Sequence, residues 1–309
     1  MKKIALIVVW GGKLPDYFQI WLYSCKNNPS IDFYVFTDDR TEYEYPVNVK
    51  YNFYSFEELR QKFCKIFPFE ISLERPYKFC DYKPAYGEAF SSYLKGYDFW
   101  GYCDIDLIWG NIRKFLTDEV LENYDRFFTR GHCSIFRNDE KINSYYRTLP
   151  ANGHLDYKMV YQSDKSWCFD EWATHCGGGL SVILKEHNIP TYDEPMMADI
   201  DVAHGRFAIH RREDLKKVDY FAYSRGNLYA CQMKKKDEIK QTPILYCHFQ
   251  KRKIKLADNL NANEFVLLPP GEIRNEDDPK NKMFRSIKIL YFDLVIFLKK
   301  VWSRIRALS

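Results

Sequence analysis

The sequence predicts an α/β protein: a mixed, mostly parallel sheet flanked by helices, with an amphipathic helix at the C-terminus. Three observations predict it. Residues 3–10 form a near-continuous apolar run, the pattern of a strand buried on both faces of a parallel sheet. A strand–helix–strand unit is complete before residue 40, and parallel strands need such a crossover. Residues 280–309 carry eight Lys/Arg against one Asp, with apolar residues at helical spacing.

The elements follow in order. Gly11 and Gly12 end the first strand, and apolar Phe18, Ile20, Trp21 and Leu22 give a helical pattern over 15–25. Residues 31–37 read as the second strand, closed by Asp38 and Asp39. Residues 47–54 read as a third, and 55–67 as a helix capped by Ser55 with Glu58 three residues on. The segment 82–94 is predicted as one helix starting near Pro84. Residues 97–103 form a strand that runs into Asp104-Ile105-Asp106. Residues 126–137 read as a strand or hairpin, 180–187 as a helix ended by Asn188 and Pro190, and 242–249 as one late strand. No repeat or low-complexity tract divides 1–275, which is read as one domain followed by the helix of 280–309.

Composition excludes several classes. Hydrophobic residues make up 46%, so the chain is globular and not disordered. A net charge of +4 is too small to imply a nucleic-acid partner. The tail alone carries +7, which leaves −3 for the rest. The nine cysteines contain no C-x-x-C pair, which fits reduced thiols in a cytoplasmic chain better than a disulfide framework or a structural zinc site. The first apolar run is short and no small-residue cleavage site follows it, so it is read as a strand and not a leader. No uncharged apolar stretch of about 18 residues predicts a spanning helix.

Two motifs carry chemistry. In an extended D-x-D, both carboxylates face one side. Hard oxygen ligands suit Mn²⁺ or Mg²⁺, which neutralise a diphosphate leaving group. Asp104 and Asp106 lie between the apolar runs YDFWGYC and LIW, and burying two acids there is costly without a cation. The late strand ends in His248-Phe249, followed by Gln250-Lys251-Arg252-Lys253. A neutral imidazole is a suitable third ligand, and Lys251 and Arg252 are suited to phosphate oxygens. The bland alternatives are a solvated acidic loop and a structural histidine.

A mid-chain strand ending in D-x-D, with a later H-F and nearby cations, resembles the metal site of GT-A glycosyltransferases. His248-Phe249 is similar in role to the H-F-x-G-x-x-K-P-W motif of the glycogenin and lipopolysaccharide-galactosyltransferase family, although the glycine and the P-W are absent here. The stretch 79–115, FCDYKPAYGEAFSSYLKGYDFWGYCDIDLIWGNIRKF, more closely resembles GT-A-like transferases of bacterial surface-polysaccharide clusters. The resemblance covers roughly 1–255 and is strongest at 79–115 and 245–253. It implies a Rossmann-like GT-A fold, a nucleotide-sugar donor (a UDP-sugar), a divalent metal held by Asp104, Asp106 and His248, and a glycan or lipid-linked acceptor.

The resemblance also implies roles for other residues. Lys83 supplies a cation to the donor, its alternative being a surface lysine at a helix start. Asp170 or Glu171, in Phe169-Asp170-Glu171-Trp172, activates the acceptor hydroxyl. The alternative is an acidic N-cap pair opening a helix. Trp167 and Trp172 stack on an acceptor sugar, and His132 meets it. Trp10, Gly11, Asp38 and Asp39 hold the base and ribose, their alternative being a plain loop. His204 and His210, near Asp199 and Asp201, are read as ordinary surface residues and not a second metal site. The Gly177–Gly179 run lets backbone approach a sugar. The basic tail reads either as a helix on the inner face of the cytoplasmic membrane or as one packed on protein. Two rival functions stay open: a metal-dependent phosphodiesterase or sugar-phosphate transferase, and a catalytically silent glycan-binding protein.

Overall fold

The computed structural model describes residues 1–148, 155–234, 238–276 and 282–308, without the side chains of 282–285, 305, 307 and 308. Lys280, Asn281 and Ser309 of the predicted tail, and the side chain of Phe284 in its apolar stripe, lie outside the described residues.

The chain runs β1 (Ile4–Trp10), α1 (Phe18–Lys26), β2 (Ile31–Thr37), β3 (Val49–Phe53), α2 (Phe56–Cys64), α3 (Phe79–Tyr82), α4 (Tyr86–Ala89), β4 (Phe99–Cys103) and β5 (Leu107–Trp109). It continues through α5 (Asp118–Asn123), β6 (Arg126–Arg130), β7 (Cys133–Arg137), α6 (Glu140–Ser144), α7 (Tyr157–Gln162), α8 (Leu180–Glu186), β8 (Thr191–Tyr192) and β9 (Ala198–Asp199). Then follow β10 (Tyr220–Ser224), β11 (Asn227–Met233), β12 (Ile239–Pro243), β13 (Tyr246–His248), β14 (Lys255–Leu256), β15 (Glu264–Leu268), β16 (Glu272–Arg274) and α9 (Lys282–Leu308). The chain forms two compact units that interleave: 1–15, 29–105 and 116–194 make the first, and 16–28, 106–115 and 195–309 the second.

The first unit is a seven-stranded sheet in the order β3-β2-β1-β4-β7-β6-β8. Strands β3, β2, β1 and β4 run parallel, β7 is antiparallel to β4 and β6, and β8 is parallel to β6. This is the mixed, mostly parallel sheet expected from the apolar first strand, whose residues Ile4–Val8 are buried. Gly101 lets β4 and β7 meet closely, because a Cβ there would lie 2.4 Å from the Ser134 carbonyl oxygen. Helix α2 starts as the sequence predicts: Ser55 accepts from the Glu58 amide, and the Glu58 carboxylate accepts from the Ser55 amide. The high aromatic content goes largely into this core, where Tyr82 stacks on Tyr161 with centroids 4.3 Å apart.

The predicted single helix over 82–94 is instead α3, one 3₁₀ turn at Lys83–Ala85, and α4. Pro84 has no amide to continue the ladder.

The second unit contains a six-stranded sheet, β12-β11-β10-β15-β16-β14, and a three-stranded sheet, β5-β13-β9. Strand β13 is antiparallel to β5 and parallel to β9. The single late strand expected over 242–249 is two strands in different sheets: β12 ends at Pro243 on a sheet edge, where a missing amide is tolerated. Helix α9 packs one side on this unit. Ile289 is buried against Gly205, the Gly205 amide donates to Asp293 Oδ1 at 2.7 Å, and Lys288 lies 3.1 Å from Glu272. Among the described residues no helix is long and apolar enough to cross a membrane.

Candidate active site

The parallel strands β1, β2 and β4 all end at one edge of the first unit, and open α/β sheets bind ligands beyond that edge. Asp104 follows β4. Its amide donates to the His132 carbonyl at 2.9 Å, so the chain stays tied to the β6–β7 turn for one residue past the strand. Lys83, in the 3₁₀ turn, reaches this point. Its Nζ donates to Asp104 Oδ1 and to the Gly131 carbonyl, both at 2.7 Å, and lies 3.7 Å from Asp170 Oδ2. Lys83 is therefore no surface lysine: its side chain is 8% exposed, against 38% for Asp104 and 6% for Asp170. Burial opposes the ammonium, but Asp104 and Asp170 outweigh it and hold Lys83 well above the usual lysine range. Burial lifts the Asp170 carboxyl to about 7, with Lys83 restraining the rise and Glu171, Asp81 and Asp104 adding to it.

Asp170 and Glu171 do not open a helix. They sit in a turn, and α8 starts only at Leu180. Glu171 Oε1 accepts from the Gly131 amide at 2.9 Å. Gly131 lies close beneath both carboxylates: a Cβ there would lie 2.3 Å from Glu171 Oε1 and 2.8 Å from Asp170 Oδ2, so a larger residue would push the Glu171 side chain aside. The turn is held from below by Asp81, which accepts from the amides of Trp167 and Phe169 and is itself paired with buried Lys78 at 2.9 Å. Gly179 serves this turn too: a Cβ there would strike the Glu171 and Phe169 carbonyls. Trp172 is half-buried and donates from Nε1 to Thr129 Oγ1 at 3.0 Å. Trp167 is half-buried, and His132 is buried in the hairpin turn.

At the ends of β1 and β2, half-buried Trp10 donates to the Lys13 carbonyl at 3.3 Å, and Gly11 packs so closely on Pro76 that a Cβ would lie 2.7 Å from it. Asp38 Oδ1 accepts from the Gly12 amide at 2.6 Å. Asp39 is buried and spent on the loop: Oδ2 accepts from Leu14, and Oδ1 from the Thr41 amide and hydroxyl. Burial pushes its carboxyl up, but the bonds from Thr41 and Leu14 prevail and hold it below the usual range. Asp39 thus closes a turn.

In the second unit, β13 carries His248 between two acids. Nδ1 lies 2.8 Å from Asp199 Oδ1 on β9, and Nε2 lies 3.5 Å from Asp106 Oδ1. Gln250 Nε2 also donates to Asp199 at 2.8 Å. Burial disfavours the imidazolium, yet Asp106 and Asp199 outweigh it and raise His248 to about 10. Asp106 Oδ1 is buried and faces His248 Nε2. Lys251 is exposed. Arg252 is buried, with Nη1 on the Pro270 carbonyl at 2.9 Å and Nη2 on the Asp201 and His204 carbonyls at 2.5 and 2.6 Å. His204 and His210 are largely exposed, each 4.0 Å from Asp201.

The family of unknown function DUF6625 matches residues 6–276. The chain belongs to that family. No curated protein matches it. Among solved structures, it is similar to the galactosyltransferase LgtC in complex with donor and acceptor sugar analogs, at 13% identity and TM-score 0.29, over 45% of this chain and 59% of that one. That match spans less than two thirds of the solved chain. An active-site mutant of LgtC is similar at 11% identity and TM-score 0.40, over 82% and 88% of the two chains. Mouse xyloside xylosyltransferase 1, in its apo form, is similar at 11% identity and TM-score 0.37, over 65% and 88%.

In this member of the family, sequence reasoning passes over three residues that shape the site. Asp199 orients His248, Gly131 lies close beneath two carboxylates, and Asp81 holds the Asp170 turn. Asp199 is visible in sequence only as an acid near two histidines that it does not serve.

Proposed function

We propose that this chain is a metal-dependent glycosyltransferase of bacterial surface-polysaccharide synthesis, such as capsule. It moves a hexose or N-acetylhexosamine from a nucleotide sugar, a UDP-sugar, to an acceptor glycan. The observation that carries this reading is the short run from β4 to Asp106, which brings Asp104 to buried Lys83 in one unit and Asp106 to His248 in the other. Asp104 and Asp106 are separated by one residue, so chain geometry alone keeps their Cα atoms within about 7 Å.

The donor set fits Mn²⁺ or Mg²⁺. Asp106 offers a buried oxygen facing His248 Nε2, and Asp199 orients the His248 ring from Nδ1, a common arrangement behind a ligating imidazole. Asp104, Asp106 and His248 would hold the ion once His248 Nε2 has released its proton, and a bound ion would offset the charge of the departing diphosphate. Lys83 adds a second, fixed positive charge there without reorganisation. Asp170, with its carboxyl near neutrality, takes the proton of the acceptor hydroxyl, and Glu171 fixes the Gly131 amide beside it. Trp10, Gly11 and Asp38 face the nucleoside, and Trp167 and Trp172 the acceptor sugar. Residues 1–275 form the catalytic body, and the tail of 280–309 lies on the inner face of the cytoplasmic membrane, close to a lipid-linked acceptor.

The test is thermal stabilisation by UDP-, GDP-, dTDP- and CMP-sugars, with and without Mn²⁺, on wild type and Asp106→Ala. The expected result is a Mn²⁺-dependent rise with UDP-sugars that the variant loses. A well-folded protein that responds to no nucleotide would instead be a glycan-binding protein without transferase activity.

A further inference from the structure

Helix α9 presents two different faces. One packs on the second unit through Ile289, Phe292 and Asp293. The other exposes Ile287, Leu290, Tyr291, Leu294, Phe297 and Trp302, each at least half exposed and spaced by three or four residues or their multiples, so they form one stripe. Along the packed side, the turn after β13 and the helix enclose a cavity of about 250 Å³. One wall is Lys251, Arg252 and Lys253; the helix contributes Phe292, Ile296 and Lys299.

We propose that this cavity is a binding site for the phosphate head group of a membrane lipid. Three lysines and one arginine line it. The acids closest to Arg252 are already engaged by backbone: Asp201 Oδ1 accepts from the Ala203 amide and Asp293 Oδ1 from the Gly205 amide, both at 2.7 Å. Arg252 sits between the rings of Phe207 and Phe292 and is 4% exposed. Its Nη atoms hold three carbonyls, while its Nε has no acceptor among the described residues. The charge that a ligand in the cavity can reach is that of the exposed Lys253 and Lys299 ammoniums, and a phosphate oxygen is their charge-assisted partner. The apolar half of the cavity, Phe292, Val295 and Ile296, suits the first carbons beyond the phosphate and not a hydrophilic nucleotide. The exposed stripe, on a tail of net charge +7, favours a surface that is apolar inside and anionic outside, which is an anionic bilayer.

This inference deepens the membrane reading of residues 280–309, and its test separates the two. The full chain is titrated with dihexanoyl phosphatidic acid below its micelle concentration, with inorganic phosphate, and with vesicles of phosphatidylcholine with or without phosphatidic acid. Two variants are compared with wild type: Lys253→Gln/Lys299→Gln at the cavity and Leu294→Ser/Phe297→Ser on the outer stripe, both with exposed side chains that leave the melting temperature near wild type. The soluble lipid binds wild type and the stripe variant alike, and at least tenfold more weakly to the cavity variant. Vesicles containing phosphatidic acid bind wild type, and both variants bind them less. Equal binding of the soluble lipid to wild type and the cavity variant, or none to either, overturns the site. Inorganic phosphate binding as tightly as the lipid overturns the lipid assignment. Soluble lipid binding without vesicle binding supports the cavity and overturns the membrane reading. A dimer that the stripe variant abolishes gives the outer stripe to a second copy, with the same consequence.

Discussion

Each unit buries a long cation that the sequence marks for phosphate, and the two are held in opposite ways. Lys83 meets two carboxylates and one carbonyl; Arg252 meets three carbonyls and two rings. A carboxylate can change its cation or take a proton, so the charge around Lys83 can be redistributed when an anion enters. Carbonyls have no charge to exchange, so Arg252 is fixed as a clamp between 201–204 and Pro270. A motif names the charge; its partners decide whether the charge is available for chemistry.

The largest effect expected is at the proposed ligands. Asp106→Ala and His248→Ala each lower kcat for sugar transfer on the order of 10³-fold, as befits losing several kcal/mol of charge stabilisation. Asp170→Asn follows, at roughly 10²-fold to 10⁴-fold in kcat, the range of a lost general base. Both are read in steady-state kinetics alongside melting curves that confirm a folded protein.

The pair that defines the comparison comes next. Arg252→Met leaves three carbonyls without their donor and costs roughly 3 kcal/mol in urea unfolding, with affinity for nucleotide unchanged. Lys83→Met lowers transfer about 100-fold, the scale of one lost electrostatic donor. It costs less stability than the arginine change, because Asp170 can take up a proton. Equal losses of stability and activity in the two variants would break the distinction.

The Asp170 carboxyl sharpens the same point through pH. Its folded pKa, about 7, is raised above the ordinary 3.8, so the folded chain holds an extra proton between those values. The stabilisation is complete below the ordinary value and is lost as pH rises through about 7. Urea unfolding at about pH 5 and about pH 8 then shows greater stability at the lower pH, and Asp170→Asn flattens that difference. Activity runs the other way and rises with ionisation of Asp170. The smallest effect is at a purely structural cap: Ser55→Ala lowers stability by about 1 kcal/mol and leaves transfer unchanged.

What the sequence makes legible is local. The βαβ opening and the Ser55–Glu58 capping box depend on neighbours a few positions away, and both are found where expected. What it hides depends on distance. Asp199 meets His248 across 49 residues, from a strand two residues long. Gly131 meets the Glu171 carboxylate across forty positions, and Arg252 is taken by carbonyls of a segment it cannot be seen to approach. Periodicity marks α1 as a helix, but not that it belongs to the second unit while the strands on either side belong to the first. Pro84 ends helical hydrogen bonding locally, yet the apolar spacing around it continues, so 82–94 reads as one helix where the chain makes three short turns.

The most direct measurement is release of UDP from UDP-sugars in the presence of an acceptor glycan, with Mn²⁺ or with a chelator, for wild type and Asp106→Asn. The account expects turnover by wild type with Mn²⁺ alone, lost in chelator and in the variant. Turnover that survives the chelator, or that Asp106→Asn leaves intact, would contradict it.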